Sequence, residues 1–285
     1  MITIIPEETP LRDLHQILLS GVAPRPIALV SSMDVKGNVN LSPFSFFTAF
    51  GSNPPVVAIG PAHSAKTGKA KDTYLNIKET GECTINSVTY AMTDQVSLAS
   101  CEYEKGTDEF LKSALTKRES QVVRPPAVAE SPFVLECNLI QHIPLFHDQG
   151  GNGNILLLRV LKIHVAEHVF TEGKIDPRKM DLVARLGYNW YTRAYGDALF
   201  EVLKPTWNGI GMDNLPEFLK RSEILSASDL ARLAGVKEIP QRDSNFLQNN
   251  ELAESELQNY EETAKKFLKE NKVQEAWQVL LLKNS

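Results

Sequence analysis

Along the first two-thirds of the chain, the order of apolar and polar positions is mostly that of β-strands. PIALVSS (26–32) is apolar and β-branched, and the turn-forming DVKGN (34–38) follows it. VNLS (39–42) then reads as the return strand of a hairpin. NPP (53–55) breaks the chain, and PVVAIGP (55–61) is a short, continuous apolar strand. ECTINSV (82–88) alternates with the period of a strand. Two longer strands, FVLECNLIQHIPLF (133–146) and NILLLRVLKIHVAEHVF (154–170), flank the glycine-rich DQGGNG (148–153) as an antiparallel hairpin.

Helical inserts punctuate these strands. DTYLNIKETG (72–81) has Asp72 or Thr73 as N-cap and Gly81 as its C-terminal stop. MTDQVSLAS (92–100) and DEFLKSAL (108–115) read as short helices. No βαβ rhythm of about 30 residues is present, which argues against a Rossmann sheet and for a barrel with helical inserts. After LKP (203–205) the chain becomes helical and charged. LPEFLKR (215–221) and SASDLARLAG (226–235) are short helices, the second capped by Ser226. Further on, Leu257, Tyr260, Ala264, Phe267 and Leu268 share one helical face, as do Val273, Ala276, Trp277, Leu280 and Leu281. These faces are expected to pack on the barrel or across a dimer interface. The predicted division is a barrel domain over 10–205 and a C-terminal helical extension over 206–285.

Composition narrows the class of protein. Apolar residues make up 42% and charged residues 23% of 285, enough apolar material for a sizeable core. A net charge of −5 disfavours nucleic acid as a partner. Three scattered cysteines, Cys83, Cys101 and Cys137, fit neither a zinc knuckle nor a disulfide framework. Cys83 and Cys101 read as buried small hydrophobes. The odd cysteine count and the lack of a signal-peptide pattern point to the cytoplasm. The greasiest run, Ile155 to Leu161, is too short to span a membrane.

Two blocks carry candidate chemistry. NLSPFSFFTAFGSNPPVVAIGP (40–61) concentrates hydroxyls and aromatics: Ser42, Ser45, Thr48 and Ser52 among Phe44, Phe46, Phe47 and Phe50. Strand backbone can pair with the polar edge of a flat heteroaromatic ring while apolar side chains cover its faces. The same residues also fit a hairpin whose phenylalanines fill the core. HSAKTGKAKDTYLNI (63–77) sets Ser64, Lys66, Thr67, Lys69, Lys71 and Thr73 before a helix N-terminus, as a phosphate site needs. It is not a P-loop, and it also fits a solvated basic loop.

Together the blocks resemble the flavin reductase-like family with the FMN-binding split β-barrel, in particular its flavoredoxin-like branch. The stretches that carry the resemblance are APRPIALVSS (23–32), NLSPFSFFTAFGSNPP (40–55), KDTYLNI (71–77) with GECTINSV (81–88), and KIDPRKMDLVARLGYNWY (174–191). It covers roughly residues 10–205 and implies a mainly β fold, a Greek-key split barrel with helical inserts. It implies FMN as cofactor, with Ser45, Phe46, Phe47 and Thr48 lining the ring and Ser52 and Asn53 close by. Ser64, Lys66, Lys71 and Thr73 would hold the phosphate. Relatives carry an arginine early in that loop where this chain offers Lys66 and Lys69; lysine neutralises phosphate without a bidentate fork.

The resemblance further implies a homodimer with the flavin near the interface, which brings in Asn152, Asn154, His164 and Arg185. By residue type alone, His164 also fits a satisfied strand-face histidine and Arg185 a structural ion pair. NADH or NADPH would supply electrons to a flavin reductase; a redox partner protein would supply them to an electron carrier. A metal pair from His142 and His147 with Asp148 lacks a third ligand at suitable spacing. No G-x-S-x-G supports a serine hydrolase.

Overall fold

The structure, a computed structural model, describes residues 1–285 apart from 64–67, 146–152, 203, 205–207, 250–251, 253–257 and 283–285. The chain forms two compact units, Met1–Phe200 and Glu201–Ser285.

In the first unit the β-rich segments pair into one sheet of seven strands. These are β1 (Ala28–Met33), β2 (Val39–Phe44), β3 (Phe47–Ser52), β4 (Pro55–Ile59), β5 (Glu82–Ser87), β6 (Phe133–Leu145) and β7 (Gly153–Val165). Every neighbouring pair is antiparallel, in the order β2-β1-β5-β6-β7-β4-β3. Strands β2 and β3 follow one another in sequence yet lie on opposite edges, with only Ser45 and Phe46 between them. That link spans at most about 10 Å. The edges of a flat sheet seven strands wide would stand roughly 28 Å apart. The sheet must therefore curl until its edges meet. This is the split β-barrel with helical inserts expected from the sequence.

Alternation along β1 serves two cores. Ala28 and Val30 face a barrel core with Val57, Ile59, Ile85 and Leu156. Ile27 and Leu29 face a second core with Met92, Val96 and Phe110, from the segments that cover the sheet. Helix α1 (Leu11–Gly21) lies outside the predicted elements, and α2 (Asp72–Thr80), α3 (Thr93–Ala99) and α4 (Glu109–Ser113) match them. The N-cap of α2 is Lys71, which corrects the expectation of Asp72 or Thr73; Gly81 ends it at φ 76°, the left-handed C-terminal stop. The short strand Arg25–Pro26 joins β8 (Val183–Arg185) and β9 (Tyr191–Arg193) in a separate three-stranded sheet.

Cys83 is buried as its sequence reading expected, and Cys101 is not. Cys83 and Cys137 stand opposite one another on β5 and β6, both buried in the barrel core. The Cys137 thiol and burial push the Cys83 thiol well above its ordinary range. Cys101 is exposed, not buried.

In the second unit the predicted amphipathic faces meet one another. Helix α5 (Ala227–Leu233) starts at a capping box of Ser226 and Asp229. Ala264 and Leu268 of α6 (Tyr260–Lys269) share a core with Ala276, Trp277 and Leu280 of α7 (Val273–Leu282). The fully buried Trp277 donates its indole N–H to the Leu233 carbonyl at 3.1 Å. Leu257 lies outside the described residues. Among the described residues no helix is long and apolar enough to cross a membrane.

Candidate functional site

The two-residue link that closes the barrel also builds the site. The amide of Gly60 donates to the Phe46 carbonyl at 2.8 Å, pinning the β2–β3 link against the end of β4. A Cβ on Gly60 would lie 2.8 Å from the Phe46 Cβ, closer than side chains pack. Gly60→Ala is therefore expected to push the link outward and cost about 1–3 kcal/mol. Thermal unfolding checks this: an unchanged midpoint would show that the link does not need the close approach.

Strand β3 is a sheet edge, paired on one side to β4. Its other side offers backbone groups to a ligand. Phe46, Thr48, Ser52 and Asn53 do not contribute to the core; Thr48, Ser52 and Asn53 are exposed and Phe46 is 44% exposed. Phe47 turns inward and packs on the barrel core. Phe47 thus joins the core, and Phe46 stays out of it.

Arg25 stands behind the link. Only 5% exposed, its guanidinium donates to Ser45 Oγ at 3.3 Å, to the Val22 and Leu186 carbonyls at 2.8 and 2.9 Å, and to the Leu19 carbonyl. Arg185 stands directly across the sheet from it. Burial and the charge of Arg185 both lower the Arg25 pKa. Arg185 itself donates to the Tyr188 carbonyl at 2.7 Å and stacks 4.5 Å from the Tyr191 ring. Two guanidiniums in register repel, so this end of the site favours electron-rich groups. The motif APRP carried Arg25 in plain sight, but no local pattern ties it to Ser45.

The other end is the start of α2. Its N-cap, Lys71, makes no side-chain cap hydrogen bond, and the amides of a helix start are suited to an anion. Lys71 pairs with Glu102 at 3.0 Å. Thr73 is buried, and its hydroxyl accepts from Asn40 Nδ2 at 2.7 Å. Ser64 and Lys66, the other predicted phosphate residues, lie outside the described residues.

Asn154 is buried and donates to the Pro61 carbonyl at 3.2 Å. Its Oδ1 lies 3.1 Å from His142 Nε2, which lies 3.1 Å from the Tyr74 hydroxyl. With the Asn154 amide committed to Pro61, Oδ1 must accept, so His142 carries its proton on Nε2. Tyr74 and His142 are thus polar groups at the site that spacing alone did not pick out. Asn152, His147 and Asp148 lie outside the described residues.

His164 sits elsewhere. Ten residues along β7 from Asn154, roughly 30 Å at strand rise, it donates to Glu136 at 2.6 Å. Glu136 is fully buried and also accepts the amides of Gln121, Val122 and Val123. Within one chain His164 therefore completes a buried carboxylate cluster, the satisfied histidine that its residue type allowed.

Comparison with known proteins agrees with this geometry. Residues 20–198 match the model of the flavin reductase like domain family. An uncharacterized protein of Halalkalibacterium halodurans is 32% identical over 206 residues, covering 70% of this chain and 95% of its own. Among solved structures, nitrilotriacetate monooxygenase component B from Bacillus cereus superposes with a TM-score of 0.66 at 30% identity. That match covers 71% of this chain and 98% of the other. A flavin reductase-type split-barrel protein from Shewanella frigidimarina gives 0.60 at 25% identity, covering 72% and 100%. The chain belongs to the flavin reductase-like family. This places it among the oxidoreductase and electron-transfer proteins of that superfamily, and the family match ends before the helical unit begins.

Proposed function

We propose that this chain binds FMN and acts as an NAD(P)H-dependent flavin reductase. The observation that carries the reading is a strand edge within the family's span, paired on one side only, whose closing link is held by the buried Arg25 through Ser45. The donor set suits the cofactor: strand amides and Ser45 for the ring's polar edge, Phe46 for a face, with Phe47 backing the strand from the core, and α2 amides with Lys71 for the phosphate. Ser52, Asn53 and Thr48 line the same edge, and Ser64, Lys66 and Thr73 complete the phosphate end. When bound, the flavin supplies the two-electron chemistry. The protein's work is to hold the ring, keep one face open to a donor, and set the surrounding charge.

The decisive assay mixes purified protein and FMN with NADH or NADPH. Steady loss of nicotinamide absorbance above a protein-free control is expected. With no such loss, reduction by a protein partner becomes the function of the same site. A second assay addresses the phosphate. Lys71→Ala with Thr73→Ala should weaken FMN binding at least tenfold more than riboflavin binding, since one charge-assisted contact is worth roughly 1.5–3 kcal/mol. Equal losses for both ligands would place the phosphate elsewhere.

The working form in this proposal is a homodimer. Tyr188 and Trp190 are 65% and 72% exposed and flank Arg185, and α1 buries none of its residues. A second copy covering these aromatics would enclose the arginine end of the site, and Asn154, His164 and Arg185 are the residues a partner would present or meet.

A further inference from the structure

The first unit holds a cavity of about 390 Å³ on the inner side of Phe47. It lies between the barrel and the segment from Ile175 to Ala194. Ile85, Phe133 and Leu135 line it from the barrel side, and Met180, Leu182 and Val183 from the other. Of its fourteen lining residues, only Ser87 is polar and none is charged. The cavity is partly open to solvent, so a ligand can enter it. An apolar cavity of roughly 150 Å³ already takes benzene, and this one is more than twice as large.

Its chemistry excludes an anionic group. A phosphate needs cations or clustered amides, and the walls offer neither. A carboxylate entering it would lose its water without gaining a partner. What fits is an uncharged ligand of one or two rings with a single polar group, which Ser87 can meet. The Ser87 hydroxyl lies 3.2 Å from that of Ser131, whose own O–H is directed at the Ser87 and Phe133 carbonyls, so the Ser87 hydroxyl is the one that can turn toward a ligand oxygen or N–H.

We propose that this cavity is a second small-molecule site, selective for uncharged aromatic or alicyclic compounds and separate from the flavin strand whose Phe47 it shares. The site does not depend on the flavin reading. Indole serves as the probe, with indole-3-acetate as its anionic counterpart. Both are titrated into full-length protein whose methionine methyl groups are isotopically labelled for NMR. The Met180 methyl, in the cavity wall, should shift saturably with indole, while Met212 in the helical unit stays fixed. Indole-3-acetate should bind at least tenfold more weakly. Ala194→Trp, which fills the cavity, should abolish the shift. Should that variant fail to fold, the wild-type comparison of the two probes still decides. A Met180 methyl unmoved by indole would overturn the proposal. So would equal binding of the two probes, or displacement of indole by FMN, which would make the cavity part of the flavin site. FMN binding, followed separately by flavin fluorescence, keeps a failure of the flavin reading distinct from a failure here.

Discussion

Replacing Arg25 by methionine is expected to lower the stability of the first unit by about 2–4 kcal/mol. The side chain fills the same space, but three carbonyls and one hydroxyl lose their donor at once. Those acceptors come from the last turn of α1 and its exit, from the residue that follows β8, and from the link that closes the barrel. For a domain of this size the loss should appear as a fall of roughly 5–15 °C in the unfolding midpoint. Arg25→Lys should recover little, because one ammonium cannot span four acceptors in a planar fork. Flavin affinity should fall with stability, since Ser45 loses its anchor. A methionine variant that melts within a degree or two of the wild type would show that the α1 contacts are dispensable.

Glu136→Gln should be of similar size, about 2–4 kcal/mol. The carboxylate is buried, with three amides and the His164 ring converging on it. A glutamine must turn a donor toward one of those donors. Burial works to raise the carboxyl pKa, but the Gln121 and Val122 amides and His164 outweigh it, and the net shift is downward. The sign for stability follows. A carboxyl whose folded pKa lies below its unfolded value, about 4.3, stabilises the protein fully above that value. The contribution drains away as pH falls toward the folded pKa. Urea unfolding of the wild type should therefore lose stability as pH falls below about 5, and the glutamine variant should lose less over the same range. Parallel curves would mean that other carboxylates dominate the acid response.

His164 shows how far a residue's type can be read without its neighbours. The family resemblance points it toward a partner's flavin, and within one chain the register of β7 sets it at Glu136. Thr73 is similar: its place at the start of α2 was legible, but its bond to Asn40, on β2, was not. The cysteines make the point most sharply. Cys83 and Cys137 lie 54 residues apart with no motif spacing, and strand pairing sets them face to face. Helix α1 is a different case. Leu11, Leu14, Ile17 and Leu18 carry a helical period that a strand-dominated reading of the N-terminal region passes over.

Strand and helix types, most of their limits, and the blocks that carry the family resemblance followed from the sequence by itself. Side-chain period, turn residues and caps act over a few residues, so their signals stand next to one another in the chain. The tertiary structure decided which of those residues meet. Barrel closure brings the Ser45–Phe46 link to Gly60 and Arg25. It also joins Tyr74, His142 and Asn154, and it leaves the apolar cavity behind Phe47. These contacts depend on register and curvature across strands far apart in sequence, and no local period encodes them.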